Sequence, residues 1–166
     1  MIIFFSEHIQ TICTIVLTIG LITLAIIDLK SQLLPDSITL PLLWLGLLIS
    51  LISVFTTPTD AILGAVIGYF ALWAITVVFK WMTGRVGMGN GDFKLLAALG
   101  AWLGWQQLPF IILFSSLLGS IIGLCLILFK KQTVHSPIPF GPFLATAGWI
   151  SLLWGGQITQ WYWQMI

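Results

Sequence analysis

The sequence predicts an all-α polytopic membrane protein, and three observations carry that expectation. Of its 166 residues 59% are hydrophobic and only 7% charged, whereas a soluble domain carries roughly 25% charged residues. The apolar residues come in long runs separated by short polar breaks, as successive bilayer spans do. One break, Gly84-Arg85-Val86-Gly87-Met88-Gly89-Asn90-Gly91-Asp92-Phe93-Lys94, differs from the rest in placing four glycines ahead of a carboxylate. Glycine frees the backbone for tight turns and close approach.

The runs and breaks define about six transmembrane helices: about 9–28, 37–55, 60–80, a short 92–105, 109–129 and 139–156. Met1 to Gln10 has neither a basic residue nor a small-x-small cleavage pattern, so the first span is expected to stay in the protein. The second opens at Pro35-Asp36-Ser37, where a polar side chain satisfies free backbone N–H groups. Pro41 leaves open whether that cap is Asp36, Ser37 or Thr39. Gly64 and Gly68 in the third span, like Gly119 and Gly123 in the fifth, leave room for close helix approach. The fourth run, about 14 residues or roughly 20 Å of helix, falls short of the roughly 30 Å bilayer core. The glycine segment before it is therefore expected to be re-entrant, presenting Asp92 to a wet cavity. Gln157 to Ile166 is too polar and short to span again.

Threading the spans alternately puts Lys30, Lys80, Arg85, Lys94, Lys130 and Lys131 on one side and Glu7 and Asp60 on the other. The positive-inside rule makes the first side cytoplasmic and both termini external. Trp105, Trp161 and Trp163 then suit an interfacial belt, while Trp44, Trp73 and Trp149 suit either that or packing. A net charge of +1 and the lack of a basic stripe exclude a nucleic-acid partner. Cys13 and Cys125 sit inside apolar runs and read as small hydrophobes.

Three acids remain at the cytoplasmic helix ends: Asp28, Asp36 and Asp92. Asp28 closes the apolar run Leu21 to Ile27, where a carboxylate is costly unless hydrated, paired or protonated; the plainer alternative is a solvated aspartate beside Lys30. Asp36 reads as a helix cap. Asp92 could open the short helix as a cap, but capping requires neither four glycines nor membrane depth. If Asp28 and Asp92 meet, they cannot both ionise cheaply, so one keeps a proton while the other is a base. Such a pair can activate water against a peptide carbonyl. No His-Glu-x-x-His pair is present, and His8 and His135 fall on opposite sides. Gly87-Met88-Gly89-Asn90-Gly91 does not follow a strand, so a nucleotide-binding reading fails.

Three blocks in order, Ile27-Asp28-Leu29 through Leu40-Pro41-Leu42-Leu43-Trp44, then Gly87 to Ala98, then Pro137-Ile138-Pro139-Phe140-Gly141-Pro142-Phe143, make the chain resemble the type IV prepilin peptidases. Gly-x-Gly-Asp alone is shared with presenilin-like proteins, but the proline blocks point away from them. The resemblance implies a single intramembrane aspartic peptidase domain over 1–166, with Asp28 and Asp92 catalytic and no metal or organic cofactor. It implies cleavage of type IV prepilins or type II secretion pseudopilins after glycine, at the cytoplasmic face of the bacterial inner membrane. Membrane lipids and the pilus or type II secretion machinery are the other partners implied. Gly89, Asn90, Gly91, Lys94 and Asp36 support the motif: the glycines by admitting substrate backbone or by forming the turn, Lys94 by meeting a phosphate or by snorkelling. The two Cys-x-x-Cys pairs linked in that family to N-methyltransferase activity are missing, so that activity is not expected. Two other readings fit an acidic, broken-helix membrane chain: a proton- or cation-coupled transporter, and an inactive relative that binds pilins.

Overall fold

The computed structural model describes residues 2–84, 87–129 and 139–165. The described residues form six α-helices and one 3-10 turn, with no strand among them. The helices are α1 (Ile2–Ser31), α2 (Asp36–Ser50), α3 (Pro58–Thr83), α4 (Asn90–Leu103), α5 (Leu108–Leu128) and α6 (Gly141–Met165); the turn is Trp105–Gln107. Three stretches, Glu7–Ser31, Pro58–Thr83 and Trp105–Leu126, are long and apolar enough to cross a bilayer by themselves. The fold is that of a polytopic helical membrane protein.

Three boundaries move by five residues or more, the first being the start of α1, at Ile2 rather than about 9. The second run was expected to reach residue 55 but α2 ends at Ser50, and Leu51 to Ser53 turn, with Ser53 at φ 50°. The polar tail after Gln157 continues α6 to Met165, since a helix emerging from the bundle needs no apolar sequence to persist.

The short helix α4 is the centre of the bundle. From Asp92 to Trp102 every residue except Lys94 is buried, and α4 packs most extensively on α3, then on α2 and α6. Between helices in lipid, close packing rather than the hydrophobic effect drives association. A Cβ on Gly64 would collide with the Gly100 carbonyl, and one on Gly100 with the Gly64 carbonyl, so α3 and α4 cross backbone to backbone. Gly68 also lies close to α4, a Cβ there falling 2.8 Å from the Leu96 carbonyl. Trp102 pins α4 to α2: its ring lies over Gly46 and its indole N–H donates to the Leu42 carbonyl at 2.8 Å. In contrast, Trp44 is 61% exposed, as a lipid-facing ring would be, while Trp73 and Trp149 are partly covered and Trp73 meets Phe70 edge-on.

The alternating helices give the bundle two polar ends. At one, the C-termini of α1 and α3 meet the N-termini of α2, α4 and α6, and Lys30, Lys80 and Lys94 gather there; Arg85, Lys130 and Lys131 lie outside the described residues. At the other, Asp60 accepts from Thr57 Oγ1 at 2.9 Å and from the Trp105 indole N–H at 3.0 Å. Gln107 there donates to the Gly155 carbonyl and Thr159 Oγ1, and accepts from Ser151. Trp105 thus anchors a loop rather than only facing an interface; the side chains of Trp161 and Trp163 lie outside what is described.

Candidate active site

Asp28 sits one turn before the end of α1. Its carbonyl accepts from Gln32 N–H at 2.8 Å, and Gln32, at φ 54°, turns the chain out of the helix. The side chain points inward and is 4% exposed, which removes the alternative of a solvated aspartate beside Lys30. Its Oδ2 accepts from the Gly141 backbone N–H at 2.9 Å, at the first residue of α6. The free N–H groups and the dipole of a helix start favour an anionic partner. Only glycine fits at 141, because a Cβ there would lie 2.6 Å from Asp28 Oδ2. Gly141 is the site residue that sequence reasoning missed; it lay within the Pro139-Phe140-Gly141-Pro142-Phe143 block, whose pairing with α1 no local pattern reveals.

Asp92 is the third residue of α4, so it is not the residue that caps the helix; Gly89, in extended conformation, holds that position. Asp92 stands where a capping box puts the side chain that turns back toward the helix start. Asp92 is 7% exposed, and its Oδ1 is buried without a hydrogen-bond partner among the described residues. A buried orphan of this kind calls for a ligand, water or proton.

The two carboxylates line one cleft of about 540 Å³. Two buried carboxylates so placed favour a state in which a single proton is shared. Gly87, Met88 and Gly89 form one wall and Leu33, Leu34 and Phe140 another. Gly89 and Asn90 face the cleft, and a Cβ on Gly89 would meet only Asp92 Oδ2, at 3.8 Å. Gly91 has an internal reason to be glycine: a Cβ there would lie 2.7 Å from the Leu34 Cβ.

Asp36 and Lys94 close the rim. Asp36 was expected to cap α2, but the cap is Pro35, with no side-chain hydrogen bond. The carboxylate is instead held by Lys94 Nζ at 2.6 and 2.7 Å, joining the first turn of α2 to that of α4. Lys94 is therefore engaged within the protein. No set of three His, Cys, Asp or Glu that could hold a metal occurs among the described residues. Cys13, buried on α1, and Cys125, exposed on α5, do not make a thiolate site.

This is a helical membrane protein with a buried acid pair at one end of its bundle, and sequence comparison places it among known proteins. The family model of the type IV leader peptidases matches residues 15–124, a stretch that includes both acids, and the chain belongs to that family. It is similar to the prepilin leader peptidase/N-methyltransferase of Aeromonas hydrophila, 56% identical over 152 residues that cover 92% of this chain and 52% of the relative. The proteins so named in Stutzerimonas stutzeri and Pseudomonas aeruginosa are 55% and 54% identical over 150 residues, covering 90% of this chain and 52% of each relative. The chain spans about half the length of these relatives. No solved structure matches it significantly.

Proposed function

We propose that the chain is an intramembrane aspartic endopeptidase that removes the leader from type IV prepilins or type II secretion pseudopilins, cutting after glycine. The observation that carries this reading is that Asp28 and Asp92, on different helices, are both buried and both line one cleft. Family membership and the relatives' names supply the substrate class. Water bound between the acids loses its proton to the ionised carboxylate as its oxygen bonds to the scissile carbonyl carbon. The protonated acid donates to the carbonyl oxygen, giving a tetrahedral diol. Collapse of the diol breaks the C–N bond: the protonated carboxyl gives its proton to the leaving amine while a diol hydroxyl, becoming the new carbonyl, gives its proton to the other carboxylate, leaving an acid, an amine and the pair with its single proton restored. The Gly141 N–H fixes the Asp28 carboxylate, and Asp92 Oδ1, buried without a partner among the described residues, keeps an open hydrogen-bond capacity for water or peptide.

The cleft end carries Lys30, Lys80 and Lys94, which supports placing it on the cytoplasmic side of the bacterial inner membrane with both termini periplasmic. N-methyltransferase activity is not part of the proposal. In membranes, Asp28→Asn or Asp92→Asn is expected to abolish prepilin cleavage with expression unchanged, whereas Asp36→Asn retains much of it. Full activity of either of the first two variants would refute the assignment.

A further inference from the structure

The glycines around the acid pair differ in why they are glycine. A Cβ on Gly87 would meet the Phe79 ring at 2.8 Å, one on Gly91 the Leu34 Cβ at 2.7 Å, and one on Gly141 the Asp28 carboxylate at 2.6 Å. A side chain at any of these positions would displace a packed neighbour. Gly89 is the exception. Its backbone, at φ −79° and ψ 152°, lies in the extended region open to every residue, and a Cβ there would touch only Asp92 Oδ2, at an ordinary 3.8 Å. It also stands at the cap of α4 without a side-chain hydrogen bond, where Ser, Asn or Asp would satisfy a free N–H. Conformation, packing and capping therefore give no reason for glycine at 89.

The room that a side chain at 89 would fill belongs to the cleft. Gly89 and Asn90 both line it and are exposed. Asp92 shares that lining and keeps a buried Oδ1 without a partner among the described residues. A second main chain comes into contact with a backbone, and so with the carboxylate beside it, only where no Cβ stands between them. The Asn90 carboxamide next to it offers a donor and an acceptor together, the complement of a peptide group. We propose that Gly89 and Asn90 form the edge along which the substrate's main chain lies. Gly89 admits the scissile peptide group to Asp92, and Asn90 pairs with a neighbouring peptide group and sets its register. This rests on the peptidase reading above, and it separates Gly89 from Gly91, which packs against Leu34.

The test reconstitutes each full chain in lipid vesicles with an intact type IV prepilin, and measures cleavage and the thermal transition together. Gly89→Ala is expected to lower kcat/KM about tenfold and Gly89→Val on the order of 10²-fold, as the peptide is pushed away from the acids. Both variants are expected to keep the thermal transition of the unmodified chain. Asn90→Leu, similar in size but without the carboxamide, is expected to raise KM roughly fivefold with kcat unchanged, the loss of one ordinary hydrogen bond. Near-normal cleavage by Gly89→Val would overturn the edge while leaving the peptidase reading intact. A Gly89→Val chain that no longer folds would also overturn it, since glycine would then serve the fold. An unchanged KM in Asn90→Leu contradicts the pairing. Failure of the unmodified chain to cleave would overturn the peptidase reading and this proposal with it.

Discussion

At the scale of single residues, the proposed site rests on a glycine as well as on its acids. Gly141 holds Asp28 through its N–H at 2.9 Å and leaves no room for a methyl group. Gly141→Ala is therefore expected to displace the carboxylate and lower kcat/KM on the order of 10²-fold, the usual cost of misplacing a reacting group by about 1 Å. A cleavage assay on membranes with matched expression checks this, and near-normal activity would show that the contact is dispensable. The Lys94–Asp36 pair is a lesser matter. The side chains are 27% and 55% exposed, so the pair contributes about 0.2–1 kcal/mol. Lys94→Met is expected to reduce activity less than about fivefold, the equivalent of roughly 1 kcal/mol. Both carboxylates were legible as candidates because an acid at the end of an apolar run and an acid after four glycines are costly in lipid. The Lys94–Asp36 bond and the Gly141 contact join residues remote in sequence, and neither leaves a local trace.

At the scale of elements, α4 is too short to span and too buried to face lipid. It remains in place because α3 meets it through glycine on both sides. Gly64→Val would drive a side chain into the Gly100 carbonyl of the neighbouring backbone, which cannot shift without separating the helices. The expected result is loss of the folded protein in detergent, read as collapse of its thermal transition. Gly156→Ala is the control: nothing lies within 4 Å of the added atom, and an alanine in a helix is favoured over glycine by roughly 0.5–1 kcal/mol. A stable Gly64→Val variant would refute the close crossing. The spacing of Gly64 and Gly68 announced a close approach but could not name the partner, which only the fold supplies. Span number and order were legible because hydropathy is additive along a chain. The end of α2 was not, because the apolar stretch continues through the turn at Leu51 to Ser53.

For the molecule as a whole, the alternation of helices separates two polar ends, and the proposed topology assigns them to opposite faces of the membrane. In a chain with Cys13→Ala and Cys125→Ala, Thr56→Cys is expected to react with an impermeant maleimide from outside intact cells. Gln32→Cys is expected to react only after the membrane is opened. Reversed labelling would invert the topology and remove the cytoplasmic site. Activity that needs one proton shared between two acids should fall at both low and high pH, since the fully protonated pair lacks a base and the fully ionised pair lacks an acid. A profile that only rises with pH would contradict a shared proton.

The central claim is that Asp28 and Asp92 together hydrolyse a peptide bond. Its most direct test is cleavage of a purified prepilin by the reconstituted chain, with the product's new N-terminus sequenced. The expected result is a single cut after glycine, absent in Asp28→Asn and in Asp92→Asn; a cut that persists in either variant would contradict the account.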